Sequence, residues 1–248
     1  KAKAEGKTAF ILTAQNSDWV EEDLSLVPMA KRLGIRVSQV VYQSKNAAGD
    51  GCGEKNDSGL SKFGVALVRA FNDAGIVIDL SHAGPKTALD TIRESRQPVI
   101  FSHSNAKALC DAPRNVDDEI LVALAAKGGV IGASAYNQVI APGADETGAT
   151  MDQFIDQIDY MVNKIGIDHV GFGLDAGEGR TELEIRTLHT KARGLGKAPK
   201  VRYLPDLDER RKAKNLTRAL LRRGYSEENT QKILGGNFLR VFKEVWGE

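Results

Sequence analysis

Two of the four histidines in the chain share the same local sequence context. His82 ends the run IDLSH and His103 ends the run IFSH, so each follows a short apolar segment and a serine. Such segments are typical of buried parallel strands, whose carboxyl ends meet at one edge of a sheet. Because neighbouring strands lie about 4.8 Å apart, two imidazoles at that edge can bind one ion. The repeated context therefore predicts a metal site or a catalytic site.

Asp175 and Arg114 are expected at the same edge. Asp175 follows the apolar run HVGFGL, where its carboxylate can bind metal, act as a general base or cap a turn. Arg114 lies in CDAPRN, in the loop after His103. Its guanidinium can hold a substrate carboxylate, or it can form a surface ion pair with Asp117 or Asp118.

Four other polar residues lie in or near these segments. Asp79 lies inside its predicted strand, three residues before His82, and is either a buried acceptor behind the site or an isolated polar residue of the core. His169 opens its strand and should lie on the opposite face, with a structural role. We expect His189 to be exposed. Asn115 precedes an acidic helical start and is predicted to be its N-cap.

Apolar runs and helical patterns alternate along the chain, which predicts an α/β protein with parallel strands. Helices are expected at about 24–33, 62–73, 85–95, 117–126, 151–165, 216–223 and 227–246. The expected strands are 9–14, 37–42, 76–81, 98–102, 129–135 and 169–174. A polar loop spans 43–61, and the charged segment 178–214 is either a solvated excursion or a lid over the site.

Composition excludes several classes of protein. The 248 residues carry a formal net charge of +1 and are 42% hydrophobic, as in globular domains rather than disordered or coiled-coil chains. No apolar run approaches the ~20 residues of a membrane span, and the charge balance predicts no nucleic-acid partner. Cys52 and Cys110 are too few for a disulfide scaffold and are interpreted as two reduced thiols, with one bridge between them as the alternative.

Several long motifs resemble one known family. The stretch GIVIDLSH…PVIFSHSNAKALCDAPRNVDDEILVALAAKGGVIG resembles the renal (membrane) dipeptidase family of zinc peptidases. HVGFGLDAGEG is similar to the family's strand-eight motif, and NLTRALLRRGYSEENTQKILGGNFLRVF is similar to its C-terminal helices. The segment GDGCGEKNDSGL resembles a bacterial branch. The resemblance covers essentially the whole chain.

The resemblance implies a (β/α)8 TIM barrel with a binuclear zinc site, which hydrolyses the amide bond of dipeptides with metal-activated water. By motif, His82 and His103 correspond to ligands of the second zinc. Asp175 corresponds to the acid/base, and Arg114 to the residue that holds the substrate carboxylate.

The chain departs from the family pattern in three ways. It has no His-x-Asp pair, which in the family binds the first zinc. Gln15 aligns with the bridging Glu, and a neutral amide is a poor bridge between two cations. Tyr42 aligns with the His that polarises the substrate carbonyl, although its hydroxyl can still donate to an oxyanion. We interpret these changes as variation within a subfamily.

These correspondences define the expected site. Asp175 and Tyr42 are the catalytic candidates, Arg114 and Tyr42 bind substrate, and His82, His103 and Gln15 bind metal, with one zinc ion favoured over two. The main alternative is a catalytically impaired homologue that binds a small ligand or a partner. Hydrolysis of a related substrate, such as a lactone or an amino-acid conjugate, also stays open.

The six predicted strands correspond to strands three to eight of the family barrel. Residues 1–248 are therefore expected to form a single barrel domain without its first two strands. Whether these strands were lost, or are supplied by the native full-length chain or by another chain, stays open. No signal peptide is recognisable, and the bacterial cytoplasm is the working expectation for the compartment. Association into a homodimer stays open.

Overall fold

A six-stranded parallel sheet forms the centre of the molecule. The computed structural model describes residues 5–175 and 200–247. The strands follow one another across the sheet in chain order. They are β1 (Leu12–Ala14), β2 (Ile35–Gln39), β3 (Val77–Asp79), β4 (Ile100–Phe101), β5 (Val130–Ser134) and β6 (Val170–Gly173).

Helices follow the strands in the alternating order that the sequence predicts. Between β1 and β6 lie α1 (Leu26–Arg32), α2 (Lys62–Ala74), α3 (Pro85–Glu94), α4 (Asp118–Ala126), α5 (Asn137–Ile140), α6 (Ala144–Thr147) and α7 (Met151–Ile165). The chain then adds α8 (Ala213–Arg223), α9 (Glu227–Gln231) and α10 (Asn237–Trp246). None of the helices within the described ranges is long and apolar enough to cross a membrane.

The two faces of the sheet pack against different helices. The larger cluster joins one face, through residues such as Ile78 and Ile131, to apolar residues of α2 to α4, α7 and α8. The smaller cluster joins Val37, Val77 and Ile100 to α10. Because successive residues of a strand point to opposite faces, Asp79 shares the face of Val77, which α10 covers.

The parallel register aligns the carboxyl ends of the central strands. Gln39 pairs with Asp79, and Asp79 pairs with Ile100, so the segments that follow β2, β3 and β4 leave the sheet side by side. This alignment brings together residues that are far apart in the chain.

The order of the strands was predicted correctly, but some boundaries were wrong. The strand predicted at 37–42 is Ile35–Gln39, so Tyr42 lies in the loop beyond it. The helix predicted at 227–246 is interrupted by a π turn at Lys232–Gly236, because Gly235 has a φ of 146° that no regular helix accepts. The short helices α5 and α6 lack an apolar repeat long enough to be recognised in the sequence.

Two other expectations concern loops. Asn115 is not a helix N-cap: Asp117 occupies that position, and the Asn115 amide donates instead to the carbonyls of Cys110 and Val139. Residues 178–199 of the charged segment lie outside the described residues. In the part that follows, Leu204 and Leu207 are buried in the larger core cluster.

The edge of the sheet at β1 is exposed. Phe10 is 87% and Leu12 56% accessible, values that are high for apolar residues at a strand. A cavity of about 430 Å³ opens beside this edge, on the face covered by α10. Unpaired strand edges with apolar side chains are surfaces on which further strands pair.

Candidate metal and substrate site

Three predicted metal ligands converge at the carboxyl ends of the strands. The Nε2 atoms of His82 and His103 are 3.1 Å apart. The side-chain nitrogen of Gln15, which follows β1, lies 3.2 Å from Nε2 of His82 and 3.4 Å from Nε2 of His103. The structure thus brings together residues that are up to 88 positions apart in the sequence.

Each imidazole is held through its other nitrogen. Nδ1 of His82 lies 3.1 Å from Oε1 of Gln43, and Nδ1 of His103 lies 2.6 Å from the Ser102 hydroxyl. When Nδ1 carries the proton of a neutral imidazole, the lone pair of Nε2 is free. Both lone pairs then point into the space shared with Gln15. A metal ion requires this orientation of its histidine ligands.

Burial keeps His82 neutral. Desolvation lowers the pKa of His82 well below its ordinary value, and the charges of Arg114 and His103 lower it further. A neutral imidazole is the form that binds metal, so burial favours the ligand form.

The two imidazoles and the Gln15 amide can supply part of the coordination shell of one zinc ion. Two nitrogen ligands at about 2.05 Å from a tetrahedral zinc are separated by roughly 3.3 Å, close to the observed distance between the two imidazoles. The Gln15 amide can turn its oxygen inward, since the two ends of an amide are nearly equal in shape. Within residues 5–175 and 200–247, no group of three or more His, Cys, Asp or Glu side chains is placed to hold a metal.

The backbone is strained at the same place. Gln43, His82 and Asp175 have φ values of 58°, 74° and 54°, in the left-handed region that residues with a Cβ rarely adopt. Conformations of this kind cost of order 1–3 kcal/mol each and persist where the surroundings enforce them, often at functional sites.

Arg114 and Asp175 form the second part of the site. The Arg114 Nη2 lies 3.7 Å from Oδ2 of Asp175 and donates to the backbone carbonyl of His103 at 3.2 Å. Its Nε is buried without a hydrogen-bond partner among the described residues. The two carboxylates named as alternative partners of Arg114 pair with lysines: Lys107 with Asp117 and Lys164 with Asp118.

Two tyrosines lie near the candidate metal ligands and the pair Arg114 and Asp175. The ring centroid of Tyr42 is 4.2 Å from that of His82, which places it beside the predicted ligands. Tyr136, two residues beyond β5, was missed in the sequence. Burial raises its pKa, and the charges of Arg114 and Asp175 also act on it. Its position after a strand end, like that of the histidines, was the signal that could have identified it.

Two cavities flank these residues. The cavity of about 430 Å³ is lined by Gln15, Asp79 and His103 together with apolar residues of the sheet and α10. A second cavity, of about 520 Å³, lies among the loops and is lined by Arg114 and Gln43. Two of the three candidate metal ligands, Gln15 and His103, border the first cavity, and the candidate carboxylate-binding residue Arg114 borders the second.

Solved structures share this architecture. An amidohydrolase from Pseudomonas aeruginosa is 36% identical, with a TM-score of 0.89 over 100% of this chain and 76% of its own. The probable dipeptidase PvdM from Pseudomonas aeruginosa is 25% identical, with a TM-score of 0.83 over 98% of this chain and 71% of its own. The fold is thus the α/β barrel of the amidohydrolases, with six parallel strands in the described ranges.

The sequence assigns the chain to one family within that class. The model of the membrane dipeptidase family (peptidase family M19) matches residues 1–186 and 190–246, so the chain belongs to this family. The dipeptidase tcpJ of Claviceps purpurea is 32% identical over 97% of this chain and 52% of its own length. The chain spans about half the length of the curated relatives it matches. The family resemblance recognised in the motifs is thereby confirmed.

Proposed function

We propose that the protein is a zinc-dependent hydrolase that cleaves the amide bond of dipeptides or similar small amides. The observation that carries the proposal is the convergence of His82, His103 and Gln15, next to the pair Arg114 and Asp175. One group of side chains suits a metal, and the other suits the charged end of a small substrate. Membership of the dipeptidase family supports the same reaction.

His82, His103 and Gln15 would hold the metal. Zinc, when bound, polarises a carbonyl group and lowers the pKa of water. Two imidazoles and one amide leave a coordination position open, which is characteristic of catalytic rather than structural zinc sites. Because Gln15 is neutral, we favour one ion over two.

The remaining residues would bind and orient the substrate. Arg114 would hold the substrate carboxylate, and its guanidinium is preorganised by its bond to the His103 carbonyl. Tyr42 would donate its hydroxyl proton to the oxygen of the scissile carbonyl. Asp175 would accept a proton from water and return it to the leaving amine.

The exposed edge at β1 suggests how the barrel is closed. We propose that residues 1–248 form one barrel domain with strands three to eight, and that two further strands fill the space between β6 and β1. The accessibility of Phe10 and Leu12 and the cavity beside them support this arrangement. A longer polypeptide that includes such strands should bury both residues, which hydroxyl-radical footprinting measures. Unchanged labelling would contradict closure at this edge.

Metal analysis combined with assays on a dipeptide panel tests the activity. The purified protein should bind about one equivalent of zinc and release both amino acids from some dipeptides. A chelator should abolish the activity, and added zinc should restore it. Protein that remains inactive after zinc is added would refute the proposal.

A second candidate function is a catalytically impaired homologue that binds a small ligand or a partner. The observation in its favour is the neutral Gln15, together with the lack of a carboxylate among the three converging side chains. Calorimetry distinguishes the two functions. Absence of zinc binding, combined with tight binding of a small carboxylate ligand, would favour the impaired homologue.

A further inference from the structure

Asp79 is a buried carboxylate at the end of β3, behind the two histidines. It is only 5% accessible, and a buried carboxylate is costly unless its oxygens are satisfied. Its Oδ1 accepts the backbone N–H groups of Ser81 and Ser102, each at 2.9 Å. Its Oδ2 accepts the Ser102 hydroxyl at 2.5 Å and the Gln39 amide at 3.3 Å.

These bonds join the ends of β3 and β4. Ser81 and Ser102 are the residues that immediately precede His82 and His103. The Ser81 hydroxyl also accepts the backbone N–H of His103 at 3.0 Å. The Asp79 carboxylate therefore holds in place the backbone segments that carry His82 and His103.

The same carboxylate determines the direction of the bond to the His103 ring. An ionised carboxylate only accepts hydrogen bonds, so the Ser102 hydroxyl must donate its proton to Asp79. The lone pairs of that hydroxyl remain to accept a proton from Nδ1 of His103, 2.6 Å away. Nδ1 of His103 then carries the hydrogen, and Nε2 presents its lone pair towards Gln15 and His82.

We propose that Asp79 is a positioning residue which, through the Ser102 hydroxyl, holds His103 in the tautomer and orientation that bind metal. This inference rests on the proposed function, because the positioning of His103 matters to the reaction only when the site binds metal. The tautomer itself is a property of the metal-free protein, so it can be measured separately. Carboxylate groups behind ligating histidines commonly set tautomer and ring orientation, and here a serine hydroxyl connects the two.

Ser102→Ala tests the connection with little disturbance of the fold. The change removes the hydroxyl but keeps the backbone bond from residue 102 to Asp79. Nitrogen NMR of the metal-free protein should show His103 with its proton on Nδ1. In Ser102→Ala a substantial fraction should carry it on Nε2, and zinc affinity measured by calorimetry should fall about tenfold to a hundredfold.

Two further variants make the test specific. Ser102→Thr keeps a hydroxyl and should retain the Nδ1–H tautomer and most of the zinc affinity. Ser104→Ala is the matched control, because Ser104 is buried beside His103 but its hydroxyl has no partner among the described residues. It should change neither the tautomer nor the affinity.

Asp79→Asn tests the carboxylate directly. An amide can donate as well as accept, so the Ser102 hydroxyl loses its fixed direction and the tautomer of His103 should become mixed. If that variant does not fold, the serine variants still decide the question. An unchanged His103 tautomer in Ser102→Ala would overturn the inference. A wild-type protein with the predicted tautomer but no zinc binding would instead refute the proposed function alone.

Discussion

The Nε2 atoms of His82 and His103 face each other at 3.1 Å, although neither ring presents a proton there when both Nδ1 atoms are protonated. Two lone pairs directed at each other repel, so the pair needs a donor or a cation between them. Gln15 supplies the donor at present, with its amide nitrogen 3.2 Å and 3.4 Å from the two rings. A divalent cation in the place of the Gln15 amide would bind both Nε2 lone pairs, and these two bonds would be stronger than the hydrogen bonds from Gln15.

Replacement of either histidine should therefore remove metal binding. For His82→Ala and His103→Ala we expect loss of detectable zinc binding in calorimetry and a fall in kcat of at least about a thousandfold, as when a metal's contribution to catalysis is lost. His169→Ala is the control, because His169 lies in a 3₁₀ turn before β6, where its Nδ1 is 2.8 Å from the backbone oxygen of Gly129. It should retain full zinc binding. Zinc binding by both His82→Ala and His103→Ala would contradict the assignment of these histidines as metal ligands.

Arg114 provides a second prediction. Arg114→Lys keeps the charge but loses the planar fork that holds a carboxylate through two bonds. We expect kcat/KM for dipeptides to fall by about 10- to 100-fold, mainly through KM, because a charge-assisted hydrogen bond contributes about 1.5–3 kcal/mol. Steady-state kinetics measures the change. Arg93→Ala removes an exposed arginine paired with Asp90 and should have no effect. An unchanged KM in Arg114→Lys would contradict the proposed binding of the substrate carboxylate by Arg114.

Strand order and the edge that carries the site were predictable, because His82, His103 and Asp175 each follow an apolar run. The contacts of Arg114 were not, since its ion pair joins two loops 61 residues apart. Gln43 was also missed, because it lies in a polar loop without periodicity and acquires its role only from contact with His82. Such contacts depend on the tertiary path of loops, which local patterns do not determine.

Gly173 in β6 provides a prediction about packing around His103. A Cβ at this position would overlap the backbone carbonyl oxygen of Ser102 and lie 3.2 Å from Cα of His103. Backbone atoms cannot move aside as a side chain can, so Gly173→Ala should lower the free energy of unfolding by about 1–3 kcal/mol. It should also weaken zinc binding, because the strand end that carries His103 is displaced.

Urea denaturation and calorimetry measure the two effects of Gly173→Ala. Gly236→Ala is the control, because Gly236 has a helical φ of −55° that alanine accepts, and a Cβ there would lie 3.1 Å from the backbone oxygen of Gln231, a much smaller overlap than at Gly173. Its free energy of unfolding should fall by less than that of Gly173→Ala, and its zinc binding should not change. Wild-type stability in Gly173→Ala would show that Gly173 does not pack closely against the backbone of Ser102 and His103.

Cys52 should be a poorly reactive thiol, although it lies next to the site. Its backbone N–H donates to the carbonyl of His82, and burial raises the pKa of its thiol to about 11. At pH 8 the thiolate fraction is then about 0.001, against roughly 0.25 for an ordinary cysteine. Alkylation of the native protein, followed by mass spectrometry, should be at least a hundredfold slower at Cys52 than in the urea-unfolded chain.

The raised pKa of Cys52 also makes stability depend on pH. Because the folded state holds the thiol proton more tightly than the unfolded state, the contribution of Cys52 to stability is present below about pH 9 and is lost as the pH rises towards 11. A Cys52→Ala variant should show a smaller loss of stability across that range, and rapid alkylation of native Cys52 at pH 8 would contradict the prediction.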